Sequence, residues 1–125
     1  MLIERAQESL RAAQLCLEAE LVNSAASRAY YAMFQAAQMA LEVAGIVRAR
    51  WSHPVLQSVF TAELISRRKI FPAGLRNHLS TGLTVRQAAD YETAGVSRSV
   101  AHRIVRRAPT FVSTVQEGTR RGPTT

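Results

Sequence analysis

Arg28, Tyr30 and Tyr31 interrupt an alanine-rich stretch, and Arg86, Asp90 and Tyr91 lie in the run Arg86-Gln87-Ala88-Ala89-Asp90-Tyr91. Arginine presents a permanently charged planar fork that grips phosphate. Tyrosine offers a face for stacking and a hydroxyl for hydrogen bonding, and aspartate can orient an arginine. Such a set could hold a phosphate between Arg28 and Arg86 while Tyr31 or Tyr91 lies against a base, with Asp90 steering Arg86 and His53 at the rim. Arg28 and Tyr31 are three positions apart and Arg86 and Asp90 four, so each pair shares one face of a helix. A purely structural network is the competing reading. A buried phenol left unpaired costs about 1–3 kcal/mol, and an arginine on so apolar a helix must reach solvent or a carboxylate, for which Asp90 is the natural candidate. Both readings require the segments around positions 28 and 86 to meet.

Other chemistries find no support. His53, His78 and His102 fall at no helical spacing that would converge on an ion, and Cys16 is the single cysteine, so neither a metal site nor a cofactor is expected. The six glycines form no phosphate-binding loop and no nucleophile elbow is present. Cys16, between Leu15 and Leu17, reads as a small apolar residue in a reducing compartment.

The net charge of +7 is unevenly spread: residues 1–47 hold three Arg against five Glu, residues 48–125 thirteen basic residues against four acids. That surplus suits a phosphate-bearing partner or an acidic protein. Fifteen of the sixteen basic residues are arginine, which bidentate phosphate contacts and a genomic compositional bias explain equally well. Arg98, His102 and Arg106 fall four apart, with Arg103 and Arg107 on an adjacent strip. This basic stripe could track a nucleic-acid backbone, although a solvated face is the commoner meaning of the pattern.

Five amphipathic segments must position these groups. Leu2, Ile3, Ala6, Leu10, Ala13 and Leu17 mark a first helix. A second, capped by Asn23 or Ser24 and stopped near Gly45, has alanine on several sides and should sit centrally. A basic connection over 46–53 leads to Pro54 in the first turn of a third helix carrying Leu56, Phe60 and Leu64. Pro72 opens a fourth with Leu75, Leu79, Leu83 and Val85 inward, weakened near Gly82. Ser97 caps a fifth with a core stripe from Val100 to Val115, kinked at Pro109. Residues 118–125, from Gly118, have nothing to bury and form a mobile basic tail. The prediction is one all-α domain over 1–117, an up-and-down bundle of four to five helices. With no stretch apolar enough to span a bilayer and no basic segment followed by an apolar run at the N-terminus, a soluble cytoplasmic protein is expected.

The combination of Ser27-Arg28-Ala29-Tyr30-Tyr31-Ala32-Met33-Phe34-Gln35-Ala36-Ala37, Ser52-His53, Arg86-Gln87-Ala88-Ala89-Asp90-Tyr91 and Val96-Ser97 leading to Ala101, Ala108, Phe111 and Val112 resembles the HEPN family (higher eukaryotes and prokaryotes nucleotide-binding) over nearly the whole chain. The resemblance implies a helical bundle, usually a homodimer, in small prokaryotic proteins often encoded beside a minimal nucleotidyltransferase, many such pairs acting as toxin and antitoxin. It also implies a ligand that is RNA or a nucleotide. Family toxins are typically metal-independent ribonucleases with an Arg-x(4–6)-His motif on a late helix. Here Arg86 stands at the arginine position, but Tyr91, Glu92 and Thr93 occupy the places where histidine is expected. A tyrosine, with an ordinary pKa of about 10, is a poor general base near neutrality, so binding is expected ahead of cleavage. Two other readings stay open. Thr84 to Asp90 followed by Gly95 to Val100 has the flavour of a DNA-binding helix-turn-helix, and the chain could be a protein-interaction module alone.

Overall fold

The computed structural model describes residues 2–121, and among these the chain is all helix and connection, without strands. The expected all-α bundle is what forms. Helix α1 spans Leu2–Glu18, α2 Val22–Val43, α3 His53–Val59, α4 Gly74–Tyr91 and α5 Arg98–Arg121. After Val59, α3 widens into a π-helical segment over Phe60–Arg67. Helix α2 is the hub, packing on α1, α4 and α5. Ala25, Ala26, Ala29, Ala32, Ala36 and Ala37 are fully buried along it, and their small side chains let three neighbours approach one axis.

Helix ends follow local chemistry in most places. Gly45, at φ +85°, ends α2 in the left-handed conformation glycine adopts without penalty, with its N–H donating to Glu42 O and that of Ile46 to Leu41 O. The Ser52 and Ser97 hydroxyls accept from Val55 N at 3.3 Å and Val100 N at 3.1 Å, capping α3 and α5.

Three expectations need correction. Neither Asn23 nor Ser24 caps α2, which starts at Val22 behind Leu21 without a side-chain cap. The Asn23 amide oxygen instead accepts from Val96 N at 2.8 Å, fastening the α4–α5 loop. Pro72 precedes α4 in a turn and does not open it. Pro109 lies on an exposed side of α5, which runs through it without a break. The tail does not begin at Gly118: α5 continues to Arg121 and Gly118 is buried. A Cβ there would come within 2.4 Å of the Phe71 ring, so residue 118 has a partner that sequence spacing does not reveal. The rest of the expected tail, residues 122–125, lies outside the described residues.

Gly82 matters most for the site. It is buried in α4, and a Cβ would sit 2.7 Å from Met33 Cε and 3.0 Å from Tyr30 Cδ1. The absence of a side chain therefore sets how closely α4 lies on α2. One turn further along α4 is Arg86.

Candidate functional site

The segments around positions 28 and 86 meet. Arg86, on the last turns of α4, donates through Nη2 to the Tyr31 hydroxyl at 2.9 Å and the Tyr91 hydroxyl at 3.2 Å. Its Cζ lies 5.4 Å from the Tyr31 ring centroid and 5.2 Å from that of Tyr91, within range of cation–π attraction. Arg86 Nε is 3.0 Å from Asp90 Oδ2, yet that nitrogen has no aligned acceptor. The contact is thus a charge pairing and not a directed hydrogen bond. With the Arg86 side chain 13% exposed and that of Asp90 29%, the pair is shielded enough to hold the guanidinium in place. Burial pulls the Arg86 pKa down, but the Tyr31 and Tyr91 phenols, which ionise in the alkaline range where arginine titrates, and the Asp90 carboxylate outweigh it and the net shift is upward.

Arg28 does not reach Asp90, as the sequence suggests it should. It is exposed on α2, with Cζ 5.0 Å over the Tyr31 ring. The carboxylate goes to Arg86 and to the Ser27 hydroxyl, which donates to Oδ2 at 3.3 Å. Tyr31 is therefore flanked by two guanidinium groups. Asn23, Ser24, Ser27, Arg28, Tyr31 and Asp90 line an open polar hollow at this end of the bundle.

His53 belongs to the interior side of this cluster more than to its rim. Its Nδ1 shares a hydrogen bond of 2.9 Å with the Tyr30 hydroxyl, and its ring lies 4.6 Å from that of Phe34 and 6.1 Å from that of Tyr31. Burial and then the Arg86 charge lower its pKa, which favours the neutral ring. Burial raises the Tyr30 hydroxyl to about 12, against smaller downward effects of Gln57 and Arg86. Tyr30 is fully buried and, as the phenol holding His53, has a part in the cluster that the sequence alone did not assign to it. The pairing of position 30 with position 53 has no local pattern to announce it.

Tyr91 is 73% exposed, with its hydroxyl held by Arg86. One face of the guanidinium system is thus bordered by a ring open to solvent. Arg28, Tyr31, His53, Arg86, Asp90 and Tyr91 come together.

Four of the five residues of the basic stripe, Arg98, His102, Arg103 and Arg106, line one exposed surface. Arg98 pairs at 2.8 Å with Glu20 in the turn between α1 and α2. His102 and Arg106 are exposed with Arg103, whereas Arg107 is half-buried and turns toward α4. Among the described residues no group of His, Cys, Asp and Glu could hold a metal ion, and no helix is long and apolar enough to cross a membrane. Residues 1–118 match the family model of the HEPN domain, and no curated protein matches the chain.

Proposed function

The chain belongs to the HEPN domain family, and on that premise we propose that the Arg86 cluster binds a phosphate-bearing ligand, RNA or a nucleotide. The observation that carries the reading is the set of contacts around one side chain: Arg86 held by Asp90 at 3.0 Å while its Nη2 reaches two phenols. A guanidinium fixed in this way loses little further freedom on meeting a phosphate. Arg28 supplies the second positive charge above Tyr31, and the exposed Tyr91 ring offers a base a stacking face. Asp90 acts on Arg86 and not on the ligand.

Cleavage of RNA is the less supported extension. Tyr91 stands at the family's histidine position and is engaged by Arg86, and a phenol is a weak base at neutral pH. The broader setting we propose is a homodimer acting beside a minimal nucleotidyltransferase in a toxin–antitoxin type of pair. The family's common arrangement supports it, and co-purification of the two encoded proteins tests it.

A DNA-reading helix-turn-helix fits less well. Residues 92–97 separate α4 from α5, longer than the usual 3–4-residue turn, and Arg98 is paired with Glu20. A protein-interaction module accounts for the exposed faces but leaves the Arg86 arrangement without a use. Affinity for a single-stranded RNA oligomer and for mononucleotides, compared between the parent chain and a folded Arg86→Ala variant, tests the proposal. The loss of binding is the expected result and unchanged binding refutes it.

A further inference from the structure

Helices α4 and α5 each lean on α2 far more than on one another, and a cleft of about 210 Å³ opens between them. Gly82, Val85, Val100 and Ile104 give it apolar surface, and Arg103, Arg107, His78 and Thr81 give it polar surface. No carboxylate lines it. It lies on the α5 side of α4, whereas the Arg86 cluster is built on the other side, where α4 meets α2 and the start of α3.

Three observations converge on this cleft. Arg103 and Arg107 are four residues apart on α5, so their guanidinium groups stand one above the other along one wall. Neither makes a salt bridge or hydrogen bond with a described residue, unlike Arg67, Arg86, Arg98 and Arg120. On the facing wall, Nδ1 of the half-buried His78 is shielded from solvent and has no hydrogen-bond partner, an exception to the rule that buried polar atoms are satisfied. Burial and the Arg107 charge lower the His78 pKa, which favours a neutral ring able to donate from one nitrogen without adding to the crowding of charge.

We propose that the α4–α5 cleft is a second binding site, for a compact phosphate-bearing ligand clamped between Arg103 and Arg107, with His78 and Thr81 as hydrogen-bond donors. Two guanidinium forks without a competing acid suit a dianionic group. The small volume selects a phosphate or diphosphate with little body beyond it, and Val100 and Ile104 can take a short apolar portion. Arg103 also borders the exposed surface formed by Arg98, His102 and Arg106, so the phosphate can come from a free small molecule or from a nucleic-acid strand lying along α5.

The test titrates the full chain with inorganic pyrophosphate, with adenosine monophosphate and with a single-stranded RNA oligomer, following the His78 and His53 imidazole signals by NMR. A saturable shift at His78 is expected. The doubly substituted Arg103→Gln/Arg107→Gln chain should bind at least tenfold more weakly. Thr81→Glu, at an exposed position, should abolish binding by setting a carboxylate at the mouth while leaving both arginines in place. Arg86→Ala should leave the His78 response intact, which separates this site from the Arg86 site. Response to pyrophosphate or the mononucleotide supports a free ligand, and response to RNA alone supports a strand. No shift at His78 with any of the three, or binding unaltered in both cleft variants, overturns the proposal.

Discussion

The Arg86 guanidinium donates to the Tyr31 hydroxyl at 2.9 Å across 55 positions of sequence, joining the end of α4 to the middle of α2. Because Asp90 holds the same guanidinium from one turn further on, replacing Arg86 does two things at once. It strips the site of its charge and leaves a shielded carboxylate and a phenol without their partner. Arg86→Ala should therefore lower stability by about 1–3 kcal/mol, read from a urea midpoint. The figure falls below that for a fully buried pair because the Asp90 side chain keeps some solvent contact.

Arg86→Lys separates charge from geometry. A lysine keeps the positive charge but cannot span Tyr31, Tyr91 and Asp90 together. The variant should lose less stability than Arg86→Ala while still losing most ligand affinity, a divergence that urea melts and binding isotherms on the same samples would display.

Gly82→Val tests how α4 is seated. Replacing glycine in a helix normally helps, by up to about 1 kcal/mol for alanine and less for a β-branched residue. Here the added atoms meet Met33 and Tyr30, both fully buried, and overpacking of this kind costs about 1–3 kcal/mol. The clash should win. Thermal melting should show a lower Tm, and the α4 shift should weaken binding at the Arg86 site although residue 82 is not part of that site.

The pH dependence has two arms. His53 and His78 both have folded pKa values below the ordinary 6.5, so the unfolded chain takes up protons first as pH falls. Their contribution to stability is present above about pH 6.5 and is lost as pH drops through that value toward the lowered folded ones. Tyr30 behaves oppositely: its folded pKa of about 12 lies above the ordinary phenol value of about 10, so its contribution is complete below pH 10 and disappears as pH rises from 10 toward 12. Urea midpoints should fall between pH 7 and 5, and a His53→Asn, His78→Asn double variant should flatten that slope. Ultraviolet titration should find a phenol ionising near pH 12 that Tyr30→Phe removes.

Periodicity along single helices carries over well. The core stripe of α5, the stop at Gly45 and the cap at Ser97 all depend on neighbours a few residues away, which a linear reading can weigh. The proximity of positions 28 and 86 could be named as a condition because their residue types are costly to bury apart. What the sequence hides are contacts made across the bundle. Asn23 looks like a helix cap but serves a loop 73 positions away, Gly82 looks like a weakness in α4 but leaves room for Met33 and Tyr30 of α2, and Gly118 looks like the start of a tail but lies under Phe71. In each case a short-range preference is overridden by a tertiary partner. The pairing of Arg86 with Asp90 follows from their spacing of four on one helix, whereas the failure of Arg28 to reach Asp90 emerges only once the helices are docked.

The most direct measurement is the affinity of a fluorescently labelled single-stranded RNA oligomer for the parent chain and for Arg86→Lys, each confirmed as folded by circular dichroism. A loss of at least tenfold in the variant is the predicted result. Equal affinities, with charge kept and only the contacts to Tyr31, Tyr91 and Asp90 removed, would contradict the assignment of Arg86 as the residue that holds the ligand.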